Sequence, residues 1–594
     1  MFLRYKIREK NGKEHRSWSI VENRRLAGGR VVQRQVLYLG EINDSQAAAW
    51  RKSIELFAEE EPRRVPITAA LFPEDRAAVA SVADEQIVRL RLRELKLCRP
   101  RQWGACWLAL HLWRELGLEE FWVSRLPRSR KGTRWDQVLA VLVCYRLLSP
   151  GSEWRLHREW FLRSALAELL GGDFSLAEEH RLYQCHDQLL AHKAELFSHL
   201  RQRWSDLFNA CFDVLLYDLT STYFESQPPF PAGDKRRYGY SRDKRFDCVQ
   251  VVIALVVTPE GFPLGYEVLA GNTDERATLA DWLQRIEQQY GKARRIWVMD
   301  RGIPTEEVLT QMRQSDPPVQ YLVGTPKGRL TQYEQALLQQ SWQEVRPGVR
   351  VKLLPQDQEL YVLAESQDRV AKERSMRRRQ LKWLWQRLPE IAGMKCPRDE
   401  LLKKLGAAQH QAPSAWRLVN LAVDPTAAAF TYRLDKDKLR RVRRREGRYL
   451  LRSNLTANDP AQLWTFYLQL TQVEEAFKNL KGDLAVRPIY HQDQERIEAH
   501  IFIAFLAYCL HVTLGRRLRS LAPGLTPRAV LEKFAAVQML DVRIPTTDGR
   551  EVVLTRYTQP ERELQLLLHK LKLKLPAQPP PKISADPNRP TKPL

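Results

Sequence analysis

The segment VLLYDLTSTYFE (residues 214–225) places one carboxylate, Asp218, inside an otherwise apolar run. A second run, RIWVMD (residues 295–300), ends on another carboxylate, Asp300. Both runs have the length and the apolar content of buried strands. Aspartate is disfavoured in strands, and an unpaired buried carboxylate is costly, so each acid needs a reason for its position. For either acid alone, a turn or cap residue at a strand end is the structural alternative.

The elements around these two runs follow a regular order. The runs QVVIALVV (250–257) and FPLGYEVL (262–269) flank a Thr-Pro-Glu-Gly turn and predict a hairpin after the first strand. One helix is predicted after this hairpin, and another begins near Pro304, before the strand YLVGT (321–325). The predicted order is β-β-β-α-β-α-β. Followed by a helix, this order is the topology of a ribonuclease-H-like α/β fold.

A third acid lies on a predicted amphipathic helix over residues 460–481. At about 100° per residue, Leu470, Phe477 and Lys481 share one helix face, and Glu474 lies in the middle of it. The helix therefore turns a carboxylate toward the side that is expected to pack inward. The structural interpretations of this pattern are a buried Glu–Lys ion pair or a stripe that is only half buried. The functional interpretation is a carboxylate that faces a site.

The ribonuclease-H-like topology brings the three acids together. Its first and fourth strands are neighbours, so Asp218 and Asp300 are expected to converge, and the helix after the fifth strand brings Glu474 beside them. Three converging carboxylates bind hard divalent cations such as Mg²⁺ or Mn²⁺. Two such ions about 4 Å apart activate the attacking oxygen and stabilise the leaving oxygen in phosphoryl transfer. We therefore expect these three acids to be both the catalytic and the metal-binding residues.

The charge balance points to a polyanionic partner. The chain has 95 Lys and Arg residues against 71 Asp and Glu residues, a net charge of +24. Nucleic acid is the leading partner, because cations that neutralise phosphates release condensed counterions; a merely basic soluble protein is the alternative.

Other site types lack support in the sequence. The eight cysteines form no C-x-x-C pair, which argues against a zinc finger and a disulfide framework. The absence of a Gly-rich phosphate loop argues against ATP use. His491 and His500 are too isolated in the sequence to be assigned as metal ligands.

The sequence favours an intracellular protein. The first residues are charged and include no apolar signal segment. The longest apolar stretch, Ile501–Leu514, is shorter than the roughly 20 residues needed to cross a bilayer. We expect this stretch to form a buried helix and the protein to be cytoplasmic.

Changes in composition along the chain predict its domain organisation, with the catalytic core interrupted by an inserted domain. The predicted units are a β-meander module at 1–44, a helical region for DNA-end binding or dimerisation at 45–210, a first part of the core at 211–325, the insertion at 326–455, a second part of the core at 456–520, a C-terminal helical region at 521–575 and a disordered tail at 576–594.

Several segments, in order along the chain, resemble bacterial insertion-sequence transposases of the DDE class. The resemblance is to the subgroup with a Tyr-Arg-Glu-Lys signature and a large insertion before the catalytic glutamate, and the N-terminal residues 18–43 resemble it more loosely. The matching segments include YDLTSTYFE (217–225), VMDRGIPTEE (298–307), YLVGTPKGRL (321–330) and the longer stretches 238–275 and 472–510.

This resemblance implies roles for single residues. The three acids match the metal-binding residues of the family. Tyr467 and Lys481 match the signature Tyr and Lys, which contact DNA phosphates near the cut. The signature Arg position holds Leu470, which cannot bind a phosphate, and Arg487 is a candidate substitute.

Further DNA contacts are expected from basic residues near the acids and in the insertion, which in the family is largely β and covers the active site. Solvated helix faces are the alternative interpretation of such charge runs. The candidates are Arg301, Arg242, Lys244, Arg377, Arg378, Arg443 and Arg444.

The resulting hypothesis is a nucleoid-associated DNA transposase. It would bind double-stranded DNA as a homodimer, recognise the terminal inverted repeats of its element, and cleave and transfer strands into target DNA with two Mg²⁺ or Mn²⁺ ions. One alternative is a ribonuclease-H-like structure-specific nuclease that cuts without joining. The other is a non-catalytic, domesticated DNA-binding protein.

Overall fold

A computed structural model gives the architecture of the chain. It describes residues 1–594 except 11–12, 26–30, 60–88, 127–128, 130–131, 242, 244, 274–278, 291–294, 301–303, 326–329, 357, 395, 426, 456–458, 488, 548 and 586–594.

The N-terminal module is the predicted β-meander. Its strands β1 (Phe2–Lys10), β2 (Lys13–Arg25) and β3 (Val31–Gly40) form an antiparallel sheet in the order β1-β2-β3. Trp18 and Leu39 are buried and join the main hydrophobic core. The meander therefore packs on the rest of the protein through one apolar face.

The next region is mostly helical, as predicted, but it also contains a strand, β4, which the sequence interpretation missed. Its elements are α1 (Asp44–Glu59), β4 (Lys96–Gln102), α2 (Gly104–Glu115), α3 (Leu118–Arg125), α4 (Trp135–Leu148), α5 (Glu153–Arg155), α6 (Leu166–Leu170), α7 (Glu179–His186) and α8 (Lys193–Phe208).

The first part of the core has the predicted order β-β-β-α-β-α-β. Gly261 closes the hairpin turn at φ +94°, a conformation that glycine adopts without strain, and the Thr305 hydroxyl caps a helix by accepting a hydrogen bond from the Val308 amide. The elements are β5 (Val214–Phe224), β6 (Val249–Val257), β7 (Pro263–Ala270), α9 (Leu279–Tyr290), β8 (Ile296–Met299), α10 (Glu306–Gln314) and β9 (Gln320–Gly324).

The insertion contains both strands and helices, with more residues in helices than in strands. Its elements are α11 (Leu330–Gln339), β10 (Gln343–Arg346), β11 (Val349–Gln356), β12 (Glu359–Ser366), α12 (Gln367–Ala392), α13 (Arg398–Gln411), α14 (Pro413–Trp416), β13 (Val419–Val423), β14 (Phe430–Leu434), α15 (Lys436–Arg445) and β15 (Arg448–Ser453).

One nine-stranded sheet unites the core with the insertion, in the order β10-β11-β12-β15-β9-β8-β5-β6-β7. Strands β5, β8 and β9 are parallel neighbours, and β6 and β7 run antiparallel beyond β5. Thus β7-β6-β5-β8-β9 is the ribonuclease-H-like sheet, and the insertion extends it through β15. The helical half of the insertion has a small core of its own, formed around Leu384, Leu388 and Leu405. The expectation of a largely β insertion was therefore wrong, because α12, α13 and α14 form an apolar cluster of their own, to which β13 adds Val419.

The helix predicted over residues 460–481 is broken in two, which corrects the sequence interpretation. The structure has α16 (Pro460–Leu468) and α17 (Leu470–Lys481), separated at Gln469. Tyr467 and Glu474 therefore lie on different helices, and their directions around a helix axis do not follow from one helical wheel.

The next helix, α18 (Gln494–Leu521), is longer than the apolar stretch seen in the sequence. Within the part of the chain that the structure describes, α18 is the one helix long and apolar enough to span a membrane, and 94% of its most apolar window is buried inside the protein. This burial identifies α18 as a core helix, so its apolar sequence is explained by packing.

The C-terminal segment is not purely helical, contrary to the expectation. It contains α19 (Pro527–Phe534), β16 (Gln538–Pro545), β17 (Arg550–Tyr557), α20 (Arg562–Lys570) and β18 (Lys582–Ala585). The strands pair in the order β18-β17-β16-β4, so part of the tail that was expected to be disordered adds a strand to this sheet. Strand β4, which the sequence interpretation missed, pairs with the C-terminal hairpin, and each supplies backbone hydrogen-bond partners to the other.

Candidate active site

The register of two parallel strands brings the first two predicted acids together. Tyr217 on β5 pairs with Met299 on β8. Asp218 follows Tyr217 on β5, and Asp300 follows Met299 directly after β8, so the register makes the two acids neighbours. Strand β5 is hydrogen-bonded on both sides, to β6 and to β8, so the backbone that carries Asp218 is fixed from two directions.

The third acid approaches from a helix that packs on the same strands. On α17, Leu470, Val473 and Phe477 are buried, and α17 contacts β5 and β6. Glu474 is exposed on this helix, which argues against the buried Glu–Lys pair. Its carboxylate is therefore presented to a site and not to the protein interior.

Asp218, Asp300 and Glu474 all line one cavity of about 450 Å³, which we call the acid cavity. Asp300 and Glu474 are exposed and Asp218 is partly buried, so the site is open on one side. Three carboxylates from three different elements form an oxygen-only donor set of the kind that Mg²⁺ and Mn²⁺ prefer.

The rest of the cavity lining comes from α16, α17 and the insertion. Tyr467 lines the acid cavity, as does Leu470, at the position where the resemblance expects an arginine. The insertion adds Arg369 from α12 and Arg448 and Tyr449 from β15. The Arg448 guanidinium is held by Glu365, at 2.8 Å.

Arg369, like Arg448, is a cation of the acid cavity that the sequence interpretation missed. Its Nε donates to Glu373 Oε1 at 3.0 Å, and its guanidinium lies over the Tyr449 ring, 5.3 Å from the centroid. Glu373 also accepts a hydrogen bond from the Gly447 amide at 3.0 Å. These contacts hold a positive charge at the wall of a cavity that three acids line. The four-residue spacing of Arg369, Glu373 and Arg377 marks one face of α12, but the sequence alone does not say that this face meets the acids.

Lys481 and Arg487 lie together at a neighbouring cavity, which we call the Lys481 cavity. It has a volume of about 540 Å³ and is also lined by Tyr223 and Tyr490. Asp243 bridges the two cations, with its Oδ2 at 3.2 Å from Lys481 Nζ and 2.6 Å from Arg487 Nη1. Burial alone would raise the pKa of Asp243, but the two cations outweigh it and hold that pKa below its usual value. Arg487 therefore does not replace the missing arginine at Leu470, since the two residues line different cavities.

The basic residues of the insertion separate into buried and exposed groups. Arg377 is buried and forms an ion pair with Glu446, so it is an internal residue and not a surface cation. Arg378, Arg443 and Arg444 are exposed on α12 and α15. Burial lowers the pKa of Arg377 most, and the charges of Arg443 and Arg378 lower it further, so these two helices bring the arginines close together.

Three further candidates, Arg301, Arg242 and Lys244, lie outside the described residues. Their flanking residues do bear on the site. Asp300 precedes the first, and Asp243, the bridging acid of the Lys481 cavity, lies between the other two.

Comparison with known proteins gives the family of the chain. The sequence matches the family described as "Transposase DDE domain" over residues 209–510, just over half of the 594-residue chain. Residues 3–64 match the family described as "IS1634 family transposase, N-terminal domain". A solved structure with some similarity is the "Cryo-EM structure of piggyBac transposase synaptic complex with hairpin DNA", at a TM-score of 0.34 and 9% sequence identity, covering 76% of this chain and 82% of that one. A search of curated proteins found no match to this sequence.

Proposed function

The chain belongs to the DDE transposase family and is a DNA transposase, and from this premise we propose that it cuts and joins DNA strands at the acid cavity. Asp218, Asp300 and Glu474 are the proposed metal-binding catalytic residues. The observation that carries the proposal is that strand register makes the first two acids neighbours, while α17 turns the third into the same cavity.

Enzymes of this family use divalent metal ions, and the residues present fit such ions. The donor set consists of carboxylate oxygens only, on a rigid sheet and a packed helix, and it is open to solvent on one side. We propose two Mg²⁺ or Mn²⁺ ions, held by the three acids. When bound, such ions supply Lewis-acid stabilisation to the attacking and leaving oxygens of phosphoryl transfer.

The remaining residues of the acid cavity position the DNA. Arg369 is the proposed contact for non-bridging phosphate oxygens, because Glu373 and Tyr449 fix its guanidinium at the cavity wall. Arg369 would make the phosphate contact that the signature arginine makes in the family, because Leu470 occupies the signature position here. Tyr467 offers a hydroxyl at the same wall.

Beyond the cavity, we propose that exposed cations follow the DNA backbone. Lys481 lies in the next cavity along α17, and the exposed arginines of α12 and α15 extend the basic surface. For Arg301, Arg242 and Lys244, the support is the family resemblance. The same proposal includes recognition of the terminal inverted repeats, capture of target DNA and a homodimer that holds two DNA ends. Such an enzyme would act on the nucleoid of the bacterial cytoplasm.

The decisive experiment compares two neighbouring glutamates. Labelled DNA that carries the ends of the element is incubated with Mg²⁺ or with EDTA and with wild type, Glu474→Gln or Glu475→Gln. Both side chains are exposed on α17, but only Glu474 lines the acid cavity. We expect metal-dependent cutting by wild type and Glu475→Gln, and a loss of about 10³-fold or more in Glu474→Gln, because a lost metal ligand removes several kcal/mol of transition-state stabilisation.

Equal cutting by the two variants would refute the proposed site. A pre-cut end separates the remaining alternatives, because a transposase joins it to target DNA and a nuclease leaves it unjoined. Binding without any nicking by wild type would favour the non-catalytic DNA-binding protein.

A further inference from the structure

A second group of ligand-type side chains lies away from the acid cavity, deep in the protein. Glu153 begins α5, His186 ends α7, His491 lies between α17 and α18, and His500 is on α18. All four are buried, with side chains 0–5% exposed. The helical region and the second part of the core each contribute two of them. The sequence interpretation of the two later histidines as too isolated for metal binding was therefore wrong about their spatial isolation.

The distances match the edges of a coordination tetrahedron. One carboxylate oxygen, Glu153 Oε1, lies 3.5 Å from His186 Nε2, 3.5 Å from His491 Nε2 and 3.4 Å from His500 Nδ1. With zinc–ligand bonds of about 2.0–2.1 Å, neighbouring ligands of a tetrahedral ion are about 3.3–3.4 Å apart. All four donor atoms lie within 4.8 Å of one another, so small side-chain rotations bring the imidazoles into place.

The outer nitrogen of two rings is already used. His186 Nδ1 lies 2.8 Å from the Leu182 carbonyl, and His500 Nε2 lies 3.1 Å from the Val486 carbonyl. A carbonyl only accepts, so in a neutral imidazole the proton sits on that outer nitrogen. The inner nitrogen of each ring then points a lone pair at Glu153. Metal-binding histidines are oriented in this way, by a carbonyl on the far side of the ring.

The inner atoms have no other partner. His186 Nε2, His491 Nε2 and His500 Nδ1 are buried without a hydrogen-bond partner, which is uncommon and costly for polar atoms in a protein interior. A network of hydrogen bonds alone would need three N–H donors on one carboxylate oxygen. A cation bound at the centre satisfies all four atoms at once.

Arg146 is the positive charge closest to this cluster, and it is engaged elsewhere. Its Nη1 donates to the Ala485 carbonyl at 3.0 Å, while its Nη2 is 3.9 Å from Glu153. It therefore contacts the carboxylate at long range and leaves the three imidazole nitrogens unpaired.

We propose that Glu153, His186, His491 and His500 bind one Zn²⁺ ion as a structural metal site. Three imidazoles and one carboxylate suit zinc, and four protein ligands leave no open position for a substrate. The ion would link the helical region to the segment between α17 and α18. Helix α17 is the helix that carries Glu474. This site is distinct from the acid cavity in its ligands, its burial and its metal.

The test is the metal content of the purified full-length protein, measured by plasma mass spectrometry after dialysis without chelator. We expect about one zinc per chain in wild type and near zero in His186→Gln and His500→Gln. His157→Gln is the matched control, because His157 also contacts a backbone carbonyl, that of Ala177, but lies outside the cluster. Asp218→Asn should keep its zinc, so a failure of the proposed catalytic site would leave this result unchanged.

A folded wild type that takes up no zinc from added ZnCl₂, or cluster variants that keep it, would overturn the proposal. If the variants do not fold, wild type is loaded with Co²⁺ in place of zinc. Strong visible absorption of four-coordinate Co²⁺ supports the site, and the weak absorption of six-coordinate Co²⁺ contradicts it.

Discussion

The acid cavity and the buried histidine cluster differ in every property that decides what a metal does. The acid cavity is open, has only oxygen donors among its proposed ligands, and lies at the inner strands β5 and β8 of the sheet, beside a positive guanidinium. The histidine cluster is closed, is rich in nitrogen, and joins two regions of the chain. An open site leaves room for a substrate, whereas a closed site has all of its ligand positions filled by protein. Both contain a glutamate among their proposed ligands, so a glutamate alone does not decide the role of a site. Its burial and the ligands beside it do.

The largest expected effect tests whether the two sites are independent. Asp300→Asn removes a ligand from the acid cavity, and we expect cleavage of the element ends to fall by about 10³-fold or more. Zinc content and the thermal unfolding midpoint should stay at wild-type values, because Asp300 is exposed and is not one of the four residues of the cluster. Cleavage and metal analysis on one preparation measure both. A parallel loss of zinc would show that the comparison is mistaken and that one site depends on the other.

A smaller effect tests the positive wall of the acid cavity. Arg369→Ala should lower cleavage by about 10- to 100-fold, because a charge-assisted hydrogen bond to phosphate contributes about 1.5–3 kcal/mol. Lys372→Ala is the control, since Lys372 is exposed on α12 but does not line the cavity. Cleavage rates at saturating DNA give the comparison. If the two variants cut equally fast, Arg369 has no role at the phosphate.

The smallest effect concerns neighbours on α12 with opposite burial. Arg378→Ala should weaken DNA binding a few-fold and reduce the slope of log affinity against log salt by about one, as expected for the loss of one phosphate contact. Arg377→Ala should instead lower the unfolding midpoint, because it removes one of the two arginines, Arg374 and Arg377, that pair with the buried Glu446. Binding titrations at several salt concentrations, together with thermal melts, separate the two. An unchanged salt slope in Arg378→Ala would remove this face from the DNA-binding surface.

Local patterns accounted for the parts of the fold that were predicted. The order β-β-β-α-β-α-β was predictable because each strand is a short apolar run between turn residues, and Thr305 and Gly261 mark a helix start and a turn. The break at Gln469 was not, because apolar periodicity continues across it. Strand β4 was also missed, since its exposed, basic sequence forms a strand only beside the C-terminal hairpin.

The sequence by itself determined the family and the order of the core elements, and it predicted the three acids, because these depend on side-chain periodicity and on motifs that are local in the chain. The tertiary structure decided what lies around them. Strand register made Asp218 and Asp300 neighbours, and extension of the sheet through β15 brought Arg369 to the acids. Packing of α5 and α7 on α18 gathered Glu153 with His186, His491 and His500. Such contacts join residues that are far apart in the chain. A short segment of sequence does not contain both partners, so the packing of the whole core decides which residues meet.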